Sequence, residues 1–162
     1  KFVVRGGWNW SKSGLIQQNS PVTYYGRGVN AGADININPV KWMETFMSVN
    51  WRLTNSSYSS VRNTYKNLTG TVKFSFFVLK GLVIQTGMDY SHLQLSDGSY
   101  KDLTLFDASA SYKIKQFTIK LSANNLFDQK TYSYTIFSGL NIHSYDFALR
   151  PREIVLSIQF TM

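Results

Sequence analysis

Taken two residues at a time, the chain sorts its side chains into an apolar set and a polar set from one end to the other. In the first segment Phe2, Val4, Gly6, Trp8 and Trp10 alternate with Val3, Arg5, Gly7, Asn9 and Ser11. Successive residues of a strand point to opposite faces, so this alternation predicts a strand with one greasy face and one small or polar face. The same rhythm returns in segments 25–37, 43–53, 68–76, 82–90, 106–112, 117–122 and 154–162, the last ending in Met162. Turn residues separate them. The spacing predicts about eight antiparallel strands of ~10 residues, the length a tilted strand needs to cross a bilayer.

The charges decide which solvent the apolar set faces. Arg5, Asp34, Glu44, Arg52, Lys73, Asp89, Asp107 and Lys120 all stand in the polar register of these segments, and the apolar positions that define the alternation carry no Asp, Glu, Lys or Arg. A lysine or arginine turned to lipid at the midplane costs ~2–4 kcal/mol, so a membrane barrel keeps one register clean. A soluble sandwich would place Lys and Glu on its polar face, where this chain has Ser, Thr, Asn and Gly. The expectation is an all-β, antiparallel transmembrane β-barrel of up-and-down strands. Its eight inward charges line the lumen, where they either form a substrate path or pair with one another or a plug. The small inward residues suit a wide, wet barrel better than a narrow one.

Link lengths suggest direction. Links at 38–41, 79–81 and 113–116 look short, whereas 17–20, 55–63 and 96–99 look longer and polar. Outer-membrane barrels have short periplasmic turns and longer extracellular loops, so odd strands are expected to run outward. The longest link, 125–150, is then extracellular, with Tyr132, Tyr134 and Tyr145 extending a last hairpin beyond the bilayer. Trp8, Trp10 and Trp51 near outer ends, with Trp42 and Tyr112 near inner ends, fit two aromatic girdles.

Composition agrees. Charged residues are 16% of the chain against about 25% in soluble domains, and aromatics reach 15%, so ionic surface is scarce. No run of ~18 apolar residues occurs, which excludes a spanning helix. The net charge of +8 comes from scattered single cations, not clusters. It suits anionic lipid or lipopolysaccharide phosphates better than nucleic acid, which is not expected as a partner. No cysteine is present, so thiolate metal sites and disulfides are out.

Two segments carry more than periodicity. Leu121-Ser122-Ala123-Asn124-Asn125-Leu126-Phe127-Asp128, followed by Gln129-Lys130-Thr131-Tyr132, resembles the penultimate-strand signature of TonB-dependent receptors. Leu149-Arg150-Pro151-Arg152 and the alternating run to Phe160 resemble their last strand. The resemblance implies that Leu156, Ile158 and Phe160 form the signal read by the barrel-assembly machinery. Phe160 is followed by Thr161 and Met162, an ending similar to Bacteroidetes-like members. Family members wrap roughly 22 strands around a plug, so residues 1–162 are expected to be one barrel segment without the plug and its TonB box. The implied function is nutrient uptake of the siderophore, glycan or peptide class, with TonB acting through the parent's plug and a surface lipoprotein as a further partner. The other reading is a self-contained eight-stranded barrel with a structural or adhesion role, in which the first and last strands pair.

Catalysis has little to build on. His92 and His143 are the only imidazoles, and the one arrangement that invites chemistry is Asp89, His92 and Asp97 as general base and partners at the rim. A solvated loop histidine is the plainer reading; neither enzyme activity nor a cofactor or metal is expected. Asp97-Gly98 reads as a tight turn, since the alternating carboxylates of a calcium loop are missing.

Overall fold

The computed structural model describes residues 1–17, 19–58, 61–138 and 141–161; Met162 lies outside them. Ten strands form: β1 (Phe2–Gln17), β2 (Ser20–Val40), β3 (Met43–Tyr58), β4 (Val61–Leu79), β5 (Leu82–Gln94), β6 (Tyr100–Ile114), β7 (Phe117–Asn124), β8 (Thr131–Ser138), β9 (Asn141–Ala148) and β10 (Glu153–Phe160). Eight of them make one antiparallel sheet in the order β1-β2-β3-β4-β5-β6-β7-β10, and β8 pairs with β9 in a sheet of two. At one end the sheet turns tightly. Gly81 occupies a left-handed conformation at φ 88°, where a Cβ would meet the Lys113 carbonyl oxygen at 2.7 Å. Only glycine fits there. Pro39 falls inside the register shift between Ile37 and Val40, where its missing N–H breaks no regular pair.

Register fixes which residues share a face, because directly paired residues project to the same side. One such row runs Phe2–Ile35–Met47–Val72–Met88–Phe106 across six strands. Two rows further on, Met43, Phe76, Ile84 and Ala110 line up, continuing to Leu121 and Leu156. Yet many of these side chains are open to the surroundings, with Val4 67%, Leu156 64% and Ile158 66% exposed. Among the described residues only Tyr65, Leu93 and Leu103 form a buried apolar core, far too little to hold a sheet of this size in water. Lipid is the solvent that makes this face stable.

The apolar stripe has a finite height. It covers positions 29–37 of β2, 43–53 of β3, 68–76 of β4, 82–90 of β5 and 106–114 of β6. Each interval has the ~9–11 residues of a tilted crossing. Trp8, Trp10 and Trp51 stand at its upper margin, and Trp42, stacked on Phe76 at 6.2 Å, lies at its lower margin. Beyond the upper margin the same register turns polar. Arg27, between Tyr25 and Val29, shares the apolar face, as do Lys12, Arg62, Lys66 and Asp102. The register is therefore free of charge only within the band, not along whole strands.

Two expectations change. At the links 17–20 and 55–63 pairing continues to Gln17↔Ser20 and Tyr58↔Val61, and residues 18, 59 and 60 lie outside the described residues. Thr, Tyr and Val favour the pleated ladder even where neither face is covered, so β2 reaches 21 residues and β4 reaches 19. The asymmetry between the two ends survives as strand extension. The link at 125–150 holds a separate hairpin, β8–β9, not a prolongation of the main sheet. It carries a stack of Tyr132, Tyr134, Tyr145 and Phe147. It is tied to the polar side of the sheet, where Lys101 Nζ donates to Ser133 Oγ at 2.6 Å, and to the β5–β6 loop, where Ser144 donates to Ser96 at 3.0 Å. Finally, β1 pairs only with β2 and β10 only with β7, so the sheet is open among the described residues.

Candidate functional site

The polar face gathers all eight expected charges. Arg5 lies opposite Gly32, two residues from Asp34; Asp34 pairs with Ser48, Ser48 with Thr71, and Thr71 with Asp89. Glu44, Arg52 and Lys73 follow by parity, and Asp107 joins through Gly87. Ser109 and Ser122 then bring Lys120 to the same side. Arg5 Nη2 donates to Asp34 Oδ1 at 2.7 Å, and Ser48 Oγ donates to the same oxygen at 2.8 Å. The remaining carboxylates take neutral donors. Asn36 Nδ2 reaches Glu44 at 3.4 Å, Thr71 Oγ1 reaches Asp89 at 2.6 Å, and the Asn125 N–H reaches Asp107 at 2.7 Å.

Mutual ion pairing thus holds at Arg5–Asp34 alone of these eight. Arg52, Lys73 and Lys120 make no ion pair among the described residues. Lys73, Asp89, Asp107 and Lys120 line a single open groove of about 400 Å³ with Gln85 and Asn124. Arg52 faces a second, of about 360 Å³, with Asn30, Asn50, Asn67 and Thr69. Amide and hydroxyl groups with a few unpaired cations offer many weak hydrogen bonds to a polar solute and no deep binding pocket.

The second cluster is built by the asparagine-leucine-phenylalanine-aspartate segment. Asn125 and Asp128 hold left-handed backbones, at φ 50° and 53°, a conformation that Asn and Asp tolerate better than other side chains. Asn125 is buried. Its Nδ2 donates to the carbonyls of Gln129 and Arg150, both at 2.8 Å, and its Oδ1 accepts the Gln129 N–H at 2.9 Å. The Leu126 N–H donates to the Phe106 carbonyl at 2.8 Å, and the Phe127 ring lies 5.7 Å from that of Phe106. Asp128 accepts the Arg152 N–H at 3.0 Å and Lys130 Nζ at 2.6 Å. Those contacts, the Lys130 hydrogen bond first, hold the Asp128 carboxyl below the usual carboxylate range. Pro151, between Arg150 and Arg152, has no N–H to leave unpaired. The segment is a clamp that joins the chain leaving β7 to the chain entering β10. Gln129 and Lys130, which the signature run contains, belong to it alongside the motif residues 125–128 and 150–152.

A family model described as an outer membrane protein beta-barrel family matches residues 25–160. The chain belongs to the outer membrane protein beta-barrel family. Its place is the bacterial outer membrane, as the exposed apolar band requires. No curated protein and no solved structure matches the chain. The family match begins within β2 and runs through the clamp to Phe160, so the whole of β10 lies inside it.

As a member of this family, the chain carries Leu156, Ile158 and Phe160 on its apolar face, with Phe160 packed on Phe117 at 5.1 Å. The rim arrangement of Asp89, His92 and Asp97 is not assembled. Asp89 lies on the polar face and His92, three residues on, on the other. Asp97 instead accepts from the Ser99 hydroxyl and backbone N–H, which hold its carboxyl below the usual range. His92 Nδ1 sits 2.6 Å from Asp102 Oδ1, with its ring 4.6 Å from Tyr100, and Tyr90 donates to the same carboxylate oxygen at 2.7 Å. Sequence separation hid Asp102, which only the β5–β6 register brings opposite His92.

Proposed function

We propose that the chain supplies C-terminal strands of a TonB-dependent outer-membrane transporter that imports a nutrient of the siderophore, glycan or peptide class. The observation that carries this reading is the pair of unpaired edges, at β1 and β10. Lipid gives edge N–H and C=O groups no partner, so a sheet immersed in it must be closed by further strands. The self-contained eight-stranded barrel needs β1 and β10 to pair, and among the described residues β10 pairs with β7 alone. The clamp at Asn125 and Asp128 and the alternating β10 add support, because they stand where the transporters' signature residues stand. In this reading the polar face lines the lumen against a plug, Arg52, Lys73 and Lys120 lie along the path, and TonB acts through that plug. The assembly machinery reads β10, and a surface lipoprotein delivers substrate at the outer end.

One double experiment tests it. Cells expressing the whole encoded protein, with cysteines at Val4 and Ile158, are oxidised and then assayed for nutrient uptake with and without TonB. The expected result is no β1–β10 cross-link within one chain, and uptake that disappears when TonB is removed. A quantitative intrachain cross-link, or uptake indifferent to TonB, would overturn the reading.

A further inference from the structure

Above the apolar band, the lipid-side register of β1 to β4 changes from oily to basic within two residues. Two successive rows run Trp10–Arg27–Asn55–Thr64 and Lys12–Tyr25–Ser57–Arg62, and Lys66 stands one step nearer the band, opposite Leu53. No carboxylate shares that register on these four strands; their acids, Asp34 and Glu44, lie on the opposite face. Lys12, Arg27, Arg62 and Lys66 are all exposed and make no ion pair among the described residues. Arg27 and Arg62 line one open groove of about 600 Å³ together with Tyr25, Asn55 and Thr64. Thr64 Oγ1 donates to Asn55 Oδ1 at 2.7 Å, and Lys12 Nζ lies 5.7 Å from the Tyr25 ring centroid.

Four cations gathered on neighbouring strands repel one another unless an anion sits between them. Simple snorkelling of each long side chain into water explains single basic residues at a membrane margin. It does not explain why two guanidiniums converge on one groove where β1 to β4 present no acid on that face. Strands lie about 4.8 Å apart, so Arg27 and Arg62, two strands apart and one row offset, span roughly the width of a phosphorylated headgroup. A guanidinium fork matches phosphate oxygens, and Asn55, Thr64 and Tyr25 add neutral hydrogen-bonding groups around it. Immediately below lie Trp8, Val29, Trp51, Leu53 and Leu68, where acyl chains attached to that headgroup fall on the apolar band.

We propose that this surface binds the phosphate of a lipid headgroup, with Arg27 and Arg62 as the principal contacts and Lys12 and Lys66 flanking them. The cluster stands at the end where β2 and β4 run on past the apolar band, the side on which family barrels carry their longer extracellular extensions, so the lipid belongs to the outer leaflet. The site is independent of the transport reading, because it lies on the other side of the sheet from the polar face.

The test uses the whole native protein in nonionic detergent and follows phosphatidic acid and diacylglycerol of identical chains by native mass spectrometry. Retention of phosphatidic acid over diacylglycerol is expected. It should fall roughly tenfold or more in Arg27→Gln with Arg62→Gln, stay within a few-fold in Arg27→Lys with Arg62→Lys, and be unchanged in Lys80→Gln at the far turn. Inorganic phosphate in large molar excess should leave the lipid bound. Equal retention of the two lipids, or an unaffected double Gln variant, would overturn the proposal. So would complete displacement by inorganic phosphate, which would mark a site for the free ion.

Discussion

Replacing Asn125 with alanine should loosen the junction between β7 and β10 by about 3–5 kcal/mol. Three side-chain hydrogen bonds disappear, each worth about 1 kcal/mol, and alanine must adopt the left-handed backbone that Asn125 holds at φ 50°, at roughly 1–2 kcal/mol. Asn125→Gly separates the two causes. It loses the bonds but accepts the backbone, so it should recover only the conformational part. Denaturant titration of the native protein in lipid vesicles reads the difference, and protease cleavage within 125–152 should rise in the same order. If Asn125→Ala unfolds with the wild type, or Gly behaves as Ala does, the clamp has been misread.

A charge placed in the middle of the apolar band should be as damaging. Val72 sits between Met47 and Met88 in the central row. Val72→Arg should cost ~2–4 kcal/mol, because the guanidinium must either enter hydrocarbon or drag headgroups and water inward. Gln85→Arg, on the polar face of the neighbouring strand, should cost under about 1 kcal/mol. Outer-membrane abundance and urea midpoint should both fall for the first variant only. Equal tolerance of both would mean that the two faces meet the same solvent.

The difference between those two variants rests on a rule that was visible in the sequence. Period-two alternation placed Val72 and Met88 together on one side and Lys73 and Asp89 on the other, and the register keeps them there. What alternation could not reveal was where strands stop. Nothing local distinguishes Tyr58 or Val61 from a residue inside a crossing, so ladders that continue beyond the bilayer looked like loops. The same blindness hid Arg27: its parity is that of the lipid face, and only its height above Val29 takes it out of the band. The clamp was visible as a residue pattern, but its bonds join Asp107, Asn125, Arg150 and Arg152, which no spacing rule connects. His92 likewise looked toward sequence neighbours and found Asp102 through cross-strand register.

Which side of the sheet meets hydrocarbon decides between a membrane face and a dry interior. Single spin labels at successive positions 68 to 76 of β4, in the native protein in lipid vesicles, can be probed with oxygen, which concentrates in lipid, and with a nickel chelate, which stays in water. Even positions should be accessible to oxygen and odd positions to nickel, with period two throughout. Even positions shielded from oxygen, with odd positions in bulk water, would describe a dry interior instead of a membrane face.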